Sequence, residues 1–167
     1  MNEKTQQNLK DIIASSGVVS KQDFRAKIVE FSKIIGSHPD SVNRQSFKEN
    51  DAIDTHNGSK LEHKFADGTY IRTITMPKNM IIMSAIHLIE HPFFVMKGSA
   101  TVISDEGIQL IEAPYQGITK PGTQRVLYIH EECVWTTVHA TNKSKVEDVV
   151  EDVIAKDYNH PILKLNN

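Results

Sequence analysis

With 167 residues, 39% of them hydrophobic and 24% charged, and a net charge of −2, the chain has the makeup of one globular domain with length left for extensions. That balance excludes a global electrostatic pull toward nucleic acid or an anionic membrane, and no cluster of Lys and Arg is interleaved with aromatics. The single cysteine, Cys133, excludes an intramolecular disulfide, and no apolar run approaches the length of a membrane span.

The polar start, Met1 to Asn8, lacks the apolar core of a signal peptide, so a cytoplasmic location is expected. Residues 1–36 read as a helical extension. Leu9, Ile12 and Ile13 give a first helix its apolar face, and Gly17 stops it. Ser20 with Asp23 resembles a capping box, after which Phe24, Ile28, Phe31 and Ile35 recur at helical spacing up to Gly36 and Pro39. This hairpin either packs on the rest of the domain or offers a face to a partner, a second copy included. Residues 37–60, rich in Ser, Asn, Asp and Gly, read as a connecting arm with little regular structure.

From Leu61 the period changes to two. Leu61, His63 and Phe65 alternate with polar neighbours, and Asp67-Gly68 turns the chain into Thr69 to Met76. Strands are then expected over Met80 to Leu88, Phe93 to Lys97, Ala100 to Ser104, Ile108 to Glu112, Gln124 to His130 and Cys133 to His139. Pro77-Lys78-Asn79, Gly98, Asp105-Glu106-Gly107, Ala113-Pro114 and Pro121-Gly122 separate them. Short strands with regular turn signals and no β-α alternation predict a mainly β domain, an antiparallel barrel or jelly roll, over residues 61–141. In residues 142–167, Ser144 and Glu147 form a second capping-box pattern. Val146, Val149, Val150, Val153 and Ile154 define a helix face expected to cover an open side of the barrel.

The phrases His91-Pro92-Phe93-Phe94-Val95-Met96-Lys97-Gly98, Glu112-Ala113-Pro114-Tyr115 and Val134-Trp135-Thr136-Thr137-Val138-His139 resemble the cupin superfamily. The likeness is nearer to small single-domain cupin-like proteins of bacteriophage genomes, and it spans about Pro77 to His139. It implies a double-stranded β-helix barrel and a first motif of two His, a Glu and a later Gly. Counting back from Gly98 puts His91 at the Glu position, His87 at the second His and Ala85 at the first. In the second motif Pro121-Gly122-Thr123-Gln124-Arg125 keeps a shortened turn, with Arg125 where a His is expected. The same resemblance makes a homodimer the default assembly.

The residues alone point the same way. His87 alternates with Ala85, Met83 and Ile81, a row expected to face the interior, and His91 follows across a short turn. Trp135, Thr137 and His139 share a face of the last strand. Three imidazoles would leave open positions on a divalent Fe, Mn, Ni or Zn ion, whereas a lone His on an apolar face is more often a hydrogen-bonded core residue. Arg125 would either hold a carboxylate or phosphate of a small-molecule ligand or pair with Glu112, Glu131 or Glu132. Tyr115, Tyr128 and Trp135 are candidate aromatic walls or plain packing. His38, His56, His63, His130 and His160 are expected in solvated turns and arms, and Cys133 as a structural thiol. No phosphate loop, nucleophile elbow or Cys-x-x-Cys pair is present. Three functions stay open: a small-molecule binding module, a phage structural or host-interaction protein, and a metal-dependent enzyme of dioxygenase or sugar isomerase type.

Overall fold

The computed structural model describes residues 3–36, 53–56 and 59–164. The first two elements follow the sequence pattern closely. Helix α1 spans Glu3–Ser15 and α2 spans Lys21–Gly36. Ser20 caps α2: the Asp23 backbone N–H donates to Ser20 Oγ at 3.2 Å, and the Ser20 hydroxyl donates to the Asp23 carboxylate at 2.7 Å.

The β domain is one eight-stranded antiparallel sheet. Its strands are β1 (Ile53–His56), β2 (Ser59–Ala66), β3 (Thr69–Met76), β4 (Ile81–Met83), β6 (His91–Ser104), β7 (Gly107–Glu112), β8 (Tyr115–Thr119) and β9 (Val126–Ala140). Pairing runs β1-β2-β3-β9-β6-β7, with β4 added to β9 and β8 to β6. The long strands β6 and β9 pair along most of their length and bend together. The first half of β6 carries β8 and the second half carries β7, while β9 carries β4 on one half and β3 on the other. The result is a folded jelly roll. Among the described residues β1 and β7 end the pairing path without meeting, so the expected barrel is not closed.

Several boundaries differ from the sequence expectation. Gly98 and the stretch between His130 and Cys133 do not end strands; β6 and β9 run through both. The register slips between Val95 and Ala100 instead, and Gly98 takes φ +78° in that bulge. The expected strand from Met80 to Leu88 breaks in two. The Ser84 hydroxyl accepts the Arg125 N–H and the Ser84 N–H donates to the Arg125 carbonyl, which ends the regular ladder. Beyond the break lies the short β5 (Ile86–His87). Strand β8 lies where only turns were expected. The arm of residues 37–60 holds β1 and the start of β2, and residues 37–52 of it lie outside the described residues.

Helix α3 spans Val146–Val153, followed by β10 (Ile154–Ala155) and α4 (Pro161–Lys164). The capping box expected at Ser144 does not form; Lys145 is the N-cap and makes no side-chain cap bond. Ile154, expected on the helix face, opens β10, which pairs with β5.

Among the described residues four apolar clusters hold these parts together, one of them Ile86, Leu88, Ala155 and Leu163 around β5, β10 and α4. Phe93, Val95, Val102, Ile129 and Trp135 fill the interior between the halves of the folded sheet. On the outer face, Ile12, Phe24, Ile28 and Phe31 from the helices pack on Ile103 and Val126. Under α3, Val146, Val149 and Val153 pack on Tyr70. Apart from Ile13, which stays exposed, the apolar faces of α1 and α2 are thus buried within the chain. Phe31→Ala is expected to cost about 3–5 kcal/mol, because a fully buried ring leaves a cavity between helix and sheet. A urea midpoint unchanged from wild type would show that the hairpin is not anchored there. No helix of the described residues is long and apolar enough to cross a membrane.

Candidate functional site

Strand register decides which side chains meet. On the inner face of the β2-β3-β9-β6-β8 half, residues align in cross-strand rows about 7 Å apart along the strands. One row holds Leu61, Ile74, Trp135, Val95 and Tyr115. The next holds His63, Arg72, Thr137, Phe93 and Gly117. The third runs Tyr70, His139, His91 and Thr119, since His139 pairs across from Tyr70 and His91 across from Thr119. The interior therefore grades from apolar to polar within two steps. Gly117 is the residue that lets the Phe93 ring lie flat there, because a Cβ would stand 2.6 Å from that ring.

At the polar end three imidazoles come together from separate elements. Ring centroids lie 4.4 Å apart for His87 and His91, 4.2 Å for His91 and His139, and 6.3 Å for His87 and His139. His91 opens β6 and His139 stands near the end of β9. His87 is held by backbone alone: its N–H donates to the Thr123 carbonyl, its carbonyl accepts from the Gly122 N–H, and Ile154 of β10 pairs with it. The Pro121-Gly122 turn thus clamps the strand that carries His87.

The protonation pattern follows from the partners. His91 Nδ1 lies 3.0 Å from the Ile89 carbonyl, which only accepts, so Nδ1 carries the proton and Nε2 is left with a bare lone pair. His139 Nε2 lies 3.3 Å from the Thr137 hydroxyl, which itself donates to the Arg72 carbonyl; its Nδ1 is the free nitrogen. His87 Nδ1, His91 Nε2 and His139 Nδ1 are all buried without a hydrogen-bond partner. Burial holds all three imidazoles below their ordinary pKa, His139 to about 3 and His87 well below. Their mutual proximity and the charges of Arg125 and Arg72 push His87 further the same way, while the Ile89 carbonyl opposes the shift at His91.

Arg125 flanks the cluster. One guanidinium nitrogen donates to Thr119 Oγ1 at 3.0 Å, and the group lies 5.3 Å from the Phe93 ring centroid. The alternative of a salt bridge to Glu112, Glu131 or Glu132 is not realised. Glu132 pairs with Lys97, and Arg125 reaches no carboxylate among the described residues. Asp105 and Glu106 are the acids that act on it, and they sit against Lys21 at 3.4 Å and Lys120 at 3.0 Å. Burial lowers the Arg125 pKa, with those two acids offsetting it in part.

Other expected residues fall elsewhere. Trp135 lies in the interior, stacked on Phe93 at 4.5 Å, and Tyr115 lies one row deeper than Phe93, its hydroxyl accepting from Gln109 Nε2. Tyr128 does not face the interior: it pairs across from Ile81 on the outer face, its hydroxyl on Asn79 and its ring against His130. Ile81 and Met83, expected in one interior row with His87, pack beneath the N-terminal helices, because the break at Ser84 resets the alternation. His63, expected in solvent, is buried with Nδ1 2.6 Å from the Tyr70 hydroxyl, and its alternation with Leu61 was the signal. His130 is half-buried on Thr101 Oγ1 at 2.7 Å. His160 is half-buried, and His38 and the side chain of His56 lie outside the described residues. Cys133 is buried and its thiol pushed up to about 11, so it stays a neutral packing residue.

By chemistry the three neutral imidazoles, each with a free nitrogen, fit a divalent transition metal. By arrangement, no group of three His, Cys, Asp or Glu among the described residues is placed to hold one, so the rings would have to turn.

No family model and no curated protein matches the sequence. Similar solved structures include an RmlC-like cupin from Shewanella frigidimarina, 19% identical with TM-score 0.44, covering 61% of this chain and 95% of that one. An acetylacetone dioxygenase from Acinetobacter johnsonii is 18% identical with TM-score 0.44 over 51% of this chain, which spans 61% of that protein's length. A cupin superfamily protein from Desulfitobacterium hafniense is 7% identical with TM-score 0.45, covering 53% of this chain and 82% of that one.

Proposed function

We propose that this chain is a small-molecule binding protein whose pocket is the polar end of the jelly roll, built on His87, His91 and His139 with Arg125 at its flank. The supporting observation is the set of three buried imidazole nitrogens without partners, brought to one place by three separate elements. Leaving a buried polar atom unmatched costs about 1–3 kcal/mol, so three together call for a ligand that matches them. His87, His91 and His139 are the residues that would hold a divalent Fe, Mn, Ni or Zn ion, which when bound supplies a Lewis acid with open positions. The chain's own residues orient that site. The Ile89 carbonyl fixes the His91 tautomer, the Thr137 hydroxyl that of His139, and the Gly122 turn seats His87.

The reading as a host-interaction scaffold has less support, because the apolar faces of α1 and α2 are buried on Ile103 and Val126. The enzyme reading, a dioxygenase or isomerase, stands only if a metal is held.

Elemental mass spectrometry on tag-free protein, beside a His87→Ala/His91→Ala double variant, tests the site. The expected result is that an added divalent ion or small molecule shifts the imidazole signals of the wild type, and that any metal the wild type holds is missing from the variant. Equal, non-zero metal in both proteins, or no imidazole NMR response to any added ion or small molecule, would overturn the proposal.

A further inference from the structure

Arg125 and the free imidazole nitrogens make opposite demands on a ligand. The guanidinium can only donate. One of its nitrogens is taken by Thr119, no carboxylate reaches it among the described residues, and the acids acting on it are already paired with Lys21 and Lys120. A half-buried cation so placed calls for an oxyanion, which it can grip with two parallel N–H groups. The imidazoles call for the reverse. With its Nδ1 proton committed to Ile89, His91 presents a lone pair at Nε2, and with Nε2 toward Thr137, His139 presents one at Nδ1. Those atoms repel an oxyanion and attract an O–H donor.

The two demands are adjacent in space. Thr119, which holds the guanidinium, is the direct cross-strand partner of His91. Neighbouring strands stand about 4.8 Å apart, and the Arg125 charge is near enough to act on His91, so both groups can address one small molecule. The enclosure limits its size: His91 and His139 are 2% and 4% exposed, and Phe93 and Trp135 close the floor.

We infer that the ligand is a short hydroxy-carboxylate, its carboxylate on Arg125 and its hydroxyl donating to the imidazole lone pairs. This rests on the pocket reading above and names the class of molecule that fills it. A plain carboxylate satisfies Arg125 and leaves the imidazoles bare, while a simple alcohol does the converse. Arg125 is then the selecting residue, and Thr119 its positioning residue.

The test is a titration of the full-length protein, stripped of metal with a chelator, followed by imidazole nitrogen NMR shifts, with lactate, propionate, propanol and inorganic phosphate as probes. Lactate is expected to bind at least about tenfold more tightly than propionate, since propionate strands the buried acceptors. Arg125→Gln should weaken lactate by a further factor of about ten, and Thr119→Val, which keeps the fold's shape, by about three. Equal binding of lactate and propionate, tighter phosphate than lactate, or an Arg125→Gln protein that binds lactate like wild type would each overturn the inference. If Arg125→Gln does not fold, the wild-type panel and Thr119→Val decide it. Metal uptake or propanol binding without acid binding would sink this inference alone; silence of all three imidazoles toward metals and molecules alike would sink the pocket with it.

Discussion

A Gly98→Ala protein is expected to lose about 2–5 kcal/mol of stability, enough at the upper end to leave a domain of this size marginal or unfolded at room temperature. Two effects add. Gly98 holds φ +78°, a region that costs an L-residue about 1–2 kcal/mol. A Cβ there would also run into the backbone of Glu132, with the carbonyl carbon 2.7 Å away and the oxygen closer still. Backbone cannot turn aside as a side chain can, and overpacking of this kind costs about 1–3 kcal/mol. The bulge that follows Val95 brings β6 against β9 at this point, and the Gly98 carbonyl also accepts the Ala113 N–H at 2.9 Å. Gly68→Ala is the control. It has φ +66° but nothing within 4 Å of an added Cβ, so about 1 kcal/mol is expected. Urea unfolding of both variants measures the difference. Equal losses would mean that the close approach at Glu132 is not rigid.

The second large effect is a steep loss of stability on mild acidification. A histidine held neutral in the fold, with its pKa lowered, gains its proton only on unfolding. Its contribution is therefore complete above the unfolded pKa near 6.5 and falls as the pH drops below it, ceasing to change once the folded group also titrates. For His139 that window runs from about 6.5 to about 3, and His87 and His91 are shifted the same way. Each such group contributes a slope of up to about 1.4 kcal/mol per pH unit, so the cluster adds up to about 4. Chemical denaturation between pH 7.5 and 5 should show this fall, and His139→Asn should flatten it by about one proton. A profile level across that range would show that the imidazoles already carry charge in the fold.

Much of this candidate site was legible in the sequence, and the failures have separate physical causes. His87, His91 and His139 were singled out from alternation and spacing, and the fold does bring their rings together. Alternation is reliable only while a strand stays unbroken. Ser84 replaces a ladder bond with its hydroxyl, so Ile81 and Met83 face the helices while His87 faces the cluster. Gly98 failed in the opposite sense. A glycine in a strand reads as a break, yet here it is what allows β6 to continue through a bulge beside Glu132. His63 obeyed its pattern, since it alternates with the buried Leu61, but a polar residue next to an arm was read as solvated. Tyr128 and the pairing of β10 with β5 depend on contacts between distant segments, which local pattern does not encode.

That last pairing has a consequence for how the molecule comes into being. His91 and His139 sit on strands that pair with each other, so they can find their places as soon as β9 has been made. His87 has the Gly122 and Thr123 backbone to hold it by then, but β5 lies off the main sheet and its strand partner, β10, comes later. On a ribosome the sheet can be folded while the strand of the third imidazole is held on one side only, until Ile154 emerges. A message cut short after β9 would yield a jelly roll with two rings in place and a third carried on a strand with one edge unpaired.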